Sequence, residues 1–495
     1  MGRLEQTIGA VLKKHPNERC LWWEGRWWTS DDFLAFVETA TETLRAGGFR
    51  EGQRIAVLLP NSPLVLALSL AAWNLGGAIA PLNAKAGTIS LTRTIDLIEP
   101  CAVVLAQGLD ELQSALEEKG IPTAVPTSLS EVFPKISTRP TASEDRSMAV
   151  IFATSGTTGL PKAVPLSHGN LLDNVDRMFE ALTLLQEGDQ IGRALNVLPN
   201  FHSFGYTVSG MLPLVKNMKQ VILASFLPPM EAMRTIHDGE VNVIIAVPAM
   251  VYFMTVAAQK GAPKPVDLKM IVVGGDRYNV QLEEKVMATF GAGVIEGYGL
   301  TECSPVVAVN RNFEMRRLGT VGPILEGYDW KLMSRDGEED HTKEGEGVLW
   351  VKGPSVTSGY FRDPEKTAER FKDGWFDTGD YVRMEDGSVH ILDRVTDIII
   401  VGGFNVYPQE VEAILNAHPA VQQAAVIGIP HPVNGEVPKA FVQLKEGQQI
   451  TSQELIKFCK QSLAHFKVPR TMEFVGELPL SPTGKILRRV LRERK

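Results

Sequence analysis

Short segments that are apolar at almost every position alternate with helix-like segments along most of the chain, and this alternation limits the fold more than any other feature. Residues 54–59 (RIAVLL), 101–106 (CAVVLA) and 241–246 (VNVIIA) are strand-like, whereas residues 229–238 and 280–290 are helix-like. A strand that is apolar along its whole length is buried on both faces. Strands of this kind in alternation with helices predict parallel sheets that are covered by helices on both sides.

The predicted fold class is therefore α/β, with a change of pattern near Arg394. The length of 495 residues corresponds to roughly three domain-sized units. Beyond Arg394, short strands accompany a helix-like segment, and about a hundred residues is an ordinary size for a small domain. We expect a large N-terminal domain at 1–394, made of stacked mixed and parallel sheets with helices, and a small α+β C-terminal domain at 395–495.

Charge and cysteine content exclude several classes of protein. The formal net charge of -8 does not predict the basic surface that nucleic-acid-binding proteins carry. The four cysteines lie far apart without a CxxC pair, so neither a zinc site nor a disulfide framework is indicated. Free cysteines fit a reducing compartment, and the N-terminal segment has no apolar signal core. We therefore expect a cytoplasmic protein that binds no nucleic acid.

Residues 63–82 form the one uncharged run that raises the question of a membrane span. At about 20 residues the run is long enough to cross a bilayer. It contains Asn74, the pair Gly76 and Gly77, and Pro81. These residues favour a buried helix that ends at the glycines and is followed by a short strand. We expect no transmembrane segment.

The stretch TSGTTGLPK at 154–162 follows a strand-like segment and is rich in hydroxyls and glycines. Glycines let a backbone approach a ligand closely, and exposed N–H groups with a lysine can surround an anion. The Walker A pattern needs glycine at position 161, where this chain has proline. From its residues alone, the stretch is either a phosphate-binding loop or a Ser/Thr/Gly-rich surface turn.

Six segments in a fixed order give the chain a family resemblance. They are 154–162 (TSGTTGLPK), 200–205 (NFHSFG), 297–302 (GYGLTE), 375–380 (WFDTGD), 393–408 (DRVTDIIIVGGFNVYP) and 482–485 (PTGK). On these segments the whole chain resembles the adenylate-forming superfamily, which includes acyl-CoA synthetases, carrier-protein adenylation domains and firefly luciferase. The resemblance implies a ligase that first forms an acyl-adenylate from ATP and a carboxylate, then transfers the acyl group to a thiol. It also implies Mg²⁺ as cofactor and a mobile small domain.

The resemblance assigns ATP contacts to individual residues. The residues implied for the β- and γ-phosphates are Thr154, Ser155, Gly156, Thr157, Thr158, Gly159 and Lys162. Those implied for adenine are Gly274, Gly275, Asp276 and Tyr298, and further residues implied for ATP are Glu296, Gly297 and Gly299. Thr301 is implied for the α-phosphate and Glu302 for Mg²⁺. Asp380 and Arg394 are implied for the ribose. The alternatives are a packing role for Tyr298 and a plain ion pair between Asp380 and Arg394.

The resemblance also assigns the catalytic and thiol-binding residues. Lys485 is implied to bridge the carboxylate and the α-phosphate, and the alternative is a lysine in a solvated basic tail. The loop Gly402, Gly403 and Phe404 is implied to pass the pantetheine arm. The hinge position carries Thr396, where the family usually has Asp or Lys, and Asp397 follows it. Either the pivot has moved or threonine suffices.

The substrate is expected to be an apolar acid. His202 matches a position that gates the acyl pocket in CoA ligases, where amino-acid-activating relatives usually carry aspartate. Residues 206–211 and 246–250 are mostly apolar or small, which favours a fatty or aromatic acid. The acceptor is CoA or the phosphopantetheine of an acyl carrier protein, for which Arg488, Arg489 and Arg492 could form a docking face. A catalytically inactive nucleotide-binding relative is the third alternative.

Overall fold

The structure, a computed structural model, describes residues 2–131, 135–142, 146–155, 161–182, 192–334, 339–340, 345–402, 404–432, 434–480 and 486–494. The chain forms two compact units. The larger comprises Met1–Asp329 with Val351–Phe376, and the smaller comprises Trp330–Trp350 with Asp377–Lys495. In this division by compactness, residues 377–394 belong to the smaller unit. The domain boundary expected between residues 394 and 395 is the start of a mobile domain, and it stays a prediction.

The elements alternate as the sequence indicates. The strands are β1 (Arg19–Trp23), β2 (Arg26–Thr29), β3 (Arg54–Leu58), β4 (Ala78–Pro81), β5 (Ala102–Leu105), β6 (Thr123–Ala124), β7 (Met148–Ser155), β8 (Pro161–Ser167), β9 (Arg193–Asn196), β10 (Lys219–Ile222), β11 (Val243–Ala246), β12 (Met270–Val273), β13 (Val294–Gly299), β14 (Val306–Val309), β15 (Asp329–Met333), β16 (Glu339–Asp340), β17 (Gly345–Lys352), β18 (Phe371–Lys372), β19 (Trp375–Glu385), β20 (Ser388–Arg394), β21 (Ile399–Val401), β22 (Phe404–Val406), β23 (Val421–His431), β24 (Gly435–Leu444) and β25 (Thr471–Phe474). The helices are α1 (Leu4–Lys14), α2 (Ser30–Ala46), α3 (Pro63–Asn74), α4 (Thr88–Ile98), α5 (Asp110–Glu118), α6 (His168–Ala181), α7 (Leu212–Val215), α8 (Pro229–Asp238), α9 (Pro248–Gln259), α10 (Glu283–Phe290), α11 (Pro364–Arg370), α12 (Pro408–Asn416), α13 (Ser452–Cys459) and α14 (Arg488–Arg492).

Two sheets build the larger unit. One has the order β14-β13-β12-β11-β9-β10-β1-β2, parallel from β13 to β1 and antiparallel at both edges. The other has the order β6-β5-β3-β4-β7-β8, and only its last pair is antiparallel. The prediction of mixed and parallel sheets with helices is confirmed.

Helix α3 accounts for the uncharged run at 63–82. Every residue from Pro63 to Trp73 is buried, so α3 is a core helix that exposes only its last residue, Asn74. Trp73 donates its indole N–H to the carbonyl oxygen of Ala149 at 2.8 Å, as a buried tryptophan requires. The run then continues through Gly76 and Gly77 into β4, as expected. Within the described residues, no helix combines the length and apolarity needed to cross a membrane.

The N-terminus of α2 differs from the prediction by one residue. Ser30 precedes the helix-like segment at 31–48 and is the N-cap that the sequence predicts, but the structure places Ser30 in the first turn and Thr29 at the cap. The Thr29 hydroxyl accepts from the N–H of Asp32 at 3.1 Å, and the Asp32 carboxylate accepts from the N–H of Thr29 at 2.8 Å. This reciprocal pair is a capping box. The Asp32 carboxylate also accepts from the Thr29 hydroxyl at 2.8 Å, and the bonds from the Thr29 N–H and hydroxyl favour the charged form and lower the pKa of Asp32.

The smaller unit has its own core. A five-stranded sheet runs in the order β22-β21-β24-β23, with β25 parallel to β24. Helices α12 and α13 pack on it, and the buried cluster that they enclose consists of residues between Ile399 and Met472. A domain-sized part of the chain with its own apolar core is the α+β architecture that the C-terminal sequence predicts.

Removal of the Thr29 cap tests the local account of α2. Thr29→Ala should lower the free energy of unfolding by about 1 kcal/mol, because the N–H of Asp32 loses its partner. The measurement is chemical denaturation followed by circular dichroism. Thr39→Ala is the matched control, since the exposed Thr39 hydroxyl bonds only within the helix, and its effect should stay within about 0.5 kcal/mol. Equal effects of the two substitutions would contradict the capping account.

Candidate active site

Three neighbouring parallel strands end at one edge of the larger sheet. Residue pairs Ala246–Val273 and Val273–Glu296 are in register, so β11, β12 and β13 reach this edge together. Ligands of open α/β sheets bind beyond the carboxyl ends of such strands. The segments that follow carry Gly274 to Asp276 and Gly297 to Glu302, which are the predicted adenine, phosphate and Mg²⁺ residues. The topology therefore brings these predicted site residues together.

Close packing explains the glycines at this edge. A Cβ on Gly274 would lie 3.2 Å from the Phe204 ring and 3.3 Å from the Gly297 carbonyl oxygen. A Cβ on Gly299 would collide with the carbonyl oxygen of Pro305. Gly275 has a φ of +82°, a conformation that glycine adopts without strain. Gly275 and Gly299 therefore require glycine for the geometry of the edge itself, and a Cβ at Gly274 would crowd its neighbours, whatever ligand the edge binds.

The side chains at the edge differ in exposure. Tyr298 is half-buried opposite Ala308 of β14, and Asp276 is exposed with its carboxylate accepting from the N–H of Arg277 at 2.8 Å. Thr301 is buried in a short 3₁₀ turn, where its hydroxyl lies 3.1 Å from the Ser203 hydroxyl. Residues 200–205 and 297–302 are therefore in direct contact.

Lys162, Tyr360 and Glu302 form the charged part of the site. Lys162 pairs with Thr154 across the β7–β8 hairpin, and its Nζ lies 5.0 Å from the centre of the Tyr360 ring. The Tyr360 hydroxyl donates to Oε1 of Glu302 at 2.8 Å. Burial of the ammonium, followed by the nearby Arg370, lowers the pKa of Lys162, while Glu302 opposes the shift. A lysine, a tyrosine and a carboxylate from three distant segments thus share one cluster.

Part of the predicted triphosphate loop lies outside the described residues. Thr154 and Lys162 are placed by the hairpin, and Ser155 pairs with Pro161 in the same ladder. Gly156, Thr157, Thr158 and Gly159 fall in the range that the structure does not describe. Binding of the β- and γ-phosphates by this loop stays a prediction. Tyr360 is a residue that the sequence motifs missed, because it lies outside all six of them.

A network of buried amides holds the segment that carries His202. The Asn61 Oδ1 accepts from the N–H of Asn200 at 2.8 Å. The Asn196 Oδ1 accepts from both Asn61, at 3.2 Å, and Asn200, at 3.0 Å. His202 follows this fixed turn, is half-buried, and accepts on Nδ1 from the N–H of Phe204 at 3.3 Å. The network was not predicted, because single asparagines in separate segments give no sequence signal.

A π-helical segment, Phe204–Met211, continues from His202. A Cβ on Gly205 would collide with the carbonyl oxygens of Leu198 and Pro199, so glycine is required where the segment leaves the turn. Residues from Gly205 to Met211 are all buried, and the Tyr206 hydroxyl donates to Ser69 at 2.8 Å. Irregular helices of this kind are frequent at functional sites.

Glu296 lies beneath the predicted adenine segment rather than at its surface. It is only 7% exposed, and its carboxylate accepts from the N–H of Gly319 at 2.9 Å. Burial raises the pKa of Glu296 to about 7, against the opposing effects of that hydrogen bond, Arg277 and Arg316. Arg316 itself pairs with Glu283 at 2.6 Å. Glu296 therefore braces the edge of the sheet with a side chain that is almost fully buried.

The smaller unit holds the predicted ribose residues as an ion pair. Arg394 Nε lies 2.7 Å from Oδ1 of Asp380, and the two residues face each other on β19 and β20. Asp380 is almost fully buried, whereas the Arg394 side chain is about half exposed. The ion pair that the sequence left as an alternative is therefore present. Binding of ribose by the same carboxylate stays a prediction.

The charge at the hinge position belongs to Asp397 and is engaged by helix α14. Arg492 binds Asp397 at 2.6 Å and the Thr396 carbonyl oxygen at 3.3 Å. Arg488 lies 3.6 Å from Asp397 and binds both carboxylate oxygens of Glu412, at 2.8 and 2.7 Å. The predicted docking face is thus reduced, because Arg488 is largely buried and Arg492 is paired inside the unit.

The predicted thiol segment is exposed. The Phe404 ring is 60% exposed and stacks on Phe466 with 4.8 Å between ring centres. Gly402 has a φ of +57°, and its N–H donates to the carbonyl oxygen of Asn434 at 2.9 Å. Gly403 and Lys485 lie outside the described residues. The chain on both sides of Lys485 is fixed by a bridge between Leu480 and Ile486.

Comparison with known proteins gives consistent matches along the chain. A family model described as AMP-binding enzyme matches residues 9–361, and one described as AMP-binding enzyme C-terminal domain matches residues 410–485.

Among curated relatives, a long-chain-fatty-acid–CoA ligase of Bacillus subtilis (strain 168) is 29% identical over 99% of this chain and 94% of its own. A feruloyl-CoA synthase of an Amycolatopsis species is 33% identical over 91% and 90%. The solved structure of the Bacillus subtilis o-succinylbenzoate CoA synthetase with its acyl-adenylate intermediate matches 99% of this chain and 98% of that chain, at 28% identity and a TM-score of 0.86.

The buried Glu296 gives a prediction for stability against pH. Its pKa is higher in the folded state, at about 7, than the ordinary value of 4.5, so the folded protein holds this proton more tightly. Stability from this group is present below pH 4.5 and is lost as the pH rises towards 7. Glu296→Gln should remove that loss, on the order of 3 kcal/mol by pH 8. The measurement is the thermal midpoint at pH 5 and pH 8.

The control for this prediction is Glu38→Gln, which changes an exposed carboxylate on α2. This variant should follow the wild-type midpoint at both pH values. A Glu296→Gln protein whose midpoint changes with pH as the wild type does would show that Glu296 is ionised in the folded protein near neutral pH, contrary to the account given above.

Proposed function

The chain belongs to the AMP-binding enzyme family, and from that premise we propose that it is an ATP-dependent ligase that joins a fatty or other apolar carboxylic acid to the thiol of CoA. The observation that supports this most is the cluster of Lys162, Tyr360 and Glu302 beside Thr301, at the sheet edge where the predicted adenine segments end. Both family models match, and they span the site and the C-terminal segment up to Lys485.

The first step is transfer of AMP to the acid. A carboxylate oxygen attacks the α-phosphorus of ATP, a P–O bond forms, and the bond to the β-phosphate oxygen breaks, so pyrophosphate leaves. Lys162 supplies positive charge to the departing phosphates, and the Tyr360 hydroxyl orients Glu302. One carboxylate with phosphate oxygens fits Mg²⁺, and Glu302 would hold this ion. When bound, Mg²⁺ neutralises charge on the phosphates.

Lys485 is proposed to stabilise the transition state of this step. Its ammonium would lie between the attacking carboxylate and the α-phosphate, where negative charge develops. The Leu480–Ile486 bridge and the bond from the N–H of Leu487 to the carbonyl oxygen of Pro479, at 2.8 Å, fix both ends of the segment that carries Lys485.

The second step transfers the acyl group to a thiol. The thiol loses its proton to solvent, its sulfur attacks the acyl carbon, and the bond from that carbon to the AMP oxygen breaks, so AMP leaves. Gly402 and the exposed Phe404 would line the passage of the pantetheine arm, with Gly403 between them. CoA is the proposed acceptor, as the names of the relatives indicate for those proteins. A carrier protein is the weaker proposal, because the predicted basic docking face is largely paired.

The substrate class follows from the segment around His202. NFHSFG contains no acid that could pair with an amino group, and the π-helical segment after it is buried and mostly apolar. A fatty acid fits these features. An aromatic acid is a second candidate, which the match to the feruloyl-CoA synthase favours. A cytoplasmic location remains a prediction from the cysteine content.

The substrate proposal is tested by carboxylate-dependent ATP–pyrophosphate exchange across short, medium and long aliphatic acids and aryl acids. We expect exchange with medium or long aliphatic acids, since an apolar chain gains from burial roughly in proportion to its length. Amino acids are the control and should give none. Exchange with aryl acids alone would establish the second candidate, and exchange with no acid, while ATP still binds, would indicate an inactive nucleotide-binding relative.

The role of Lys485 is tested by Lys485→Ala. The adenylation rate should fall at least about a hundredfold, because a positive charge at a developing anion contributes about that much. Thioester formation from supplied acyl-adenylate should continue. Lys457→Ala, an exposed lysine of α13, is the matched control and should leave both steps unchanged. Normal adenylation by Lys485→Ala would refute the assignment.

A further inference from the structure

A second cleft opens beside Lys162 in the larger unit. It has a volume of about 250 Å³ and lies between α4, the start of β8 and the segment that follows Tyr360. Its lining residues are Arg93, Leu97, Lys162, Ala163, Phe361, Arg362, Asp363 and Lys366. Lys162 therefore lies between this cleft and the cluster that contains Tyr360 and Glu302.

The lining of the cleft carries an excess of positive charge. It contains four cationic side chains and the single carboxylate of Asp363. Lys366 pairs with Asp363 at 3.2 Å, and Arg362 pairs with Glu99 at 2.6 Å. Arg93 is exposed and has no carboxylate partner in the described part of the chain. After these pairs are counted, the charges of Arg93 and Lys162 remain to attract an anion, and the Lys366 ammonium keeps donors besides the one directed at Asp363.

The floor of the cleft adds a fixed positive charge. The Phe361 ring lies 5.4 Å from the Arg54 guanidinium and 5.0 Å from that of Arg362. Arg54 is fully buried and donates to the carbonyl oxygens of Ile98, Glu99 and Ala142. A buried guanidinium stays charged and is poorly screened. Burial is the main cause of the lowered pKa of Lys162, and the positive charge of Lys366 in the same cleft lowers it further.

The size of the cleft selects the class of anion. Pockets for nucleotide-sized ligands typically occupy at least about 300 Å³, and this cleft is smaller. A compact phosphate anion can use several cations at once, whereas a carboxylate presents only two oxygens. An inorganic phosphate or pyrophosphate suits these dimensions and charges.

We propose that the cleft is a subsite for inorganic pyrophosphate, reached from the triphosphate loop through Lys162. The proposal rests on the proposed function, in which pyrophosphate is released next to Lys162. No covalent bond changes in the transfer: the anion keeps Lys162 and exchanges its other contacts in the triphosphate site for contacts with Arg93 and Lys366. On this proposal Arg93 and Lys366 contact the released product and not the nucleotide, a distinction that the KM values for pyrophosphate and ATP test.

The test compares Arg93→Gln and Lys366→Gln with the wild type in ATP–pyrophosphate exchange. Each variant should raise the KM for pyrophosphate about tenfold, the loss expected for one charge-assisted hydrogen bond. The KM for ATP and that for CoA should not change. Titration calorimetry with inorganic pyrophosphate, without ATP, should show the same weakening. Arg234→Gln, an exposed arginine on α8, is the matched control and should have no effect.

Four results would overturn the proposal. Unchanged pyrophosphate constants in both variants, or no measurable binding of pyrophosphate to the wild type, would show that the cleft does not bind it. An equal rise in the KM for ATP would assign Arg93 and Lys366 to the triphosphate site. A rise in the KM for CoA alone would make the phosphates of CoA the occupant. If the wild type shows no exchange with any acid, the proposed function fails, and calorimetry alone decides whether the cleft binds the anion.

Discussion

The hydrogen bond from the Tyr360 hydroxyl to the Glu302 carboxylate, with Lys162 against the face of the same ring, holds the candidate site together. These contacts join the β7–β8 hairpin, the turn after β13 and the segment that carries Tyr360. Glu302 and Tyr360 are 58 positions apart in the sequence. Because the lysine is partly buried, its charge is less screened than on an open surface. Partial burial of the Lys162 ammonium costs desolvation free energy, and it also strengthens the attraction between this charge and a phosphate.

The elements of the fold were largely predictable, because each depends on a local pattern. Residues 229–238 form helix α8 with the predicted bounds, and the run at 63–82 becomes a buried helix, a glycine pair and a strand. The exact cap was not predictable: Thr29 and Ser30 are both good N-cap residues, and only the reciprocal bond with Asp32 selects Thr29. Because both residues carry a hydroxyl, the sequence pattern does not distinguish Thr29 from Ser30 as the N-cap.

The site was predictable where its residues lie in motifs, and unpredictable where they act through distant contacts. Gly274, Tyr298, Thr301 and Glu302 meet at one sheet edge because parallel strands end together. Tyr360 and the amides of Asn61, Asn196 and Asn200 are contacts between separate segments, for which periodicity gives no signal. The hinge shows the same limit, since the ties of Asp397 to Arg488 and Arg492 span more than ninety positions.

The central claim is that the site forms an acyl-adenylate and then discharges it to a thiol. The most direct measurement is a single-turnover experiment with ATP labelled on the α-phosphate, a long-chain fatty acid and no thiol, quenched in acid and separated by chromatography. The account predicts that labelled acyl-adenylate accumulates to about one equivalent of enzyme and is converted to AMP and thioester when CoA is added. Formation of labelled ADP, or no labelled adduct while ATP is bound, would contradict it.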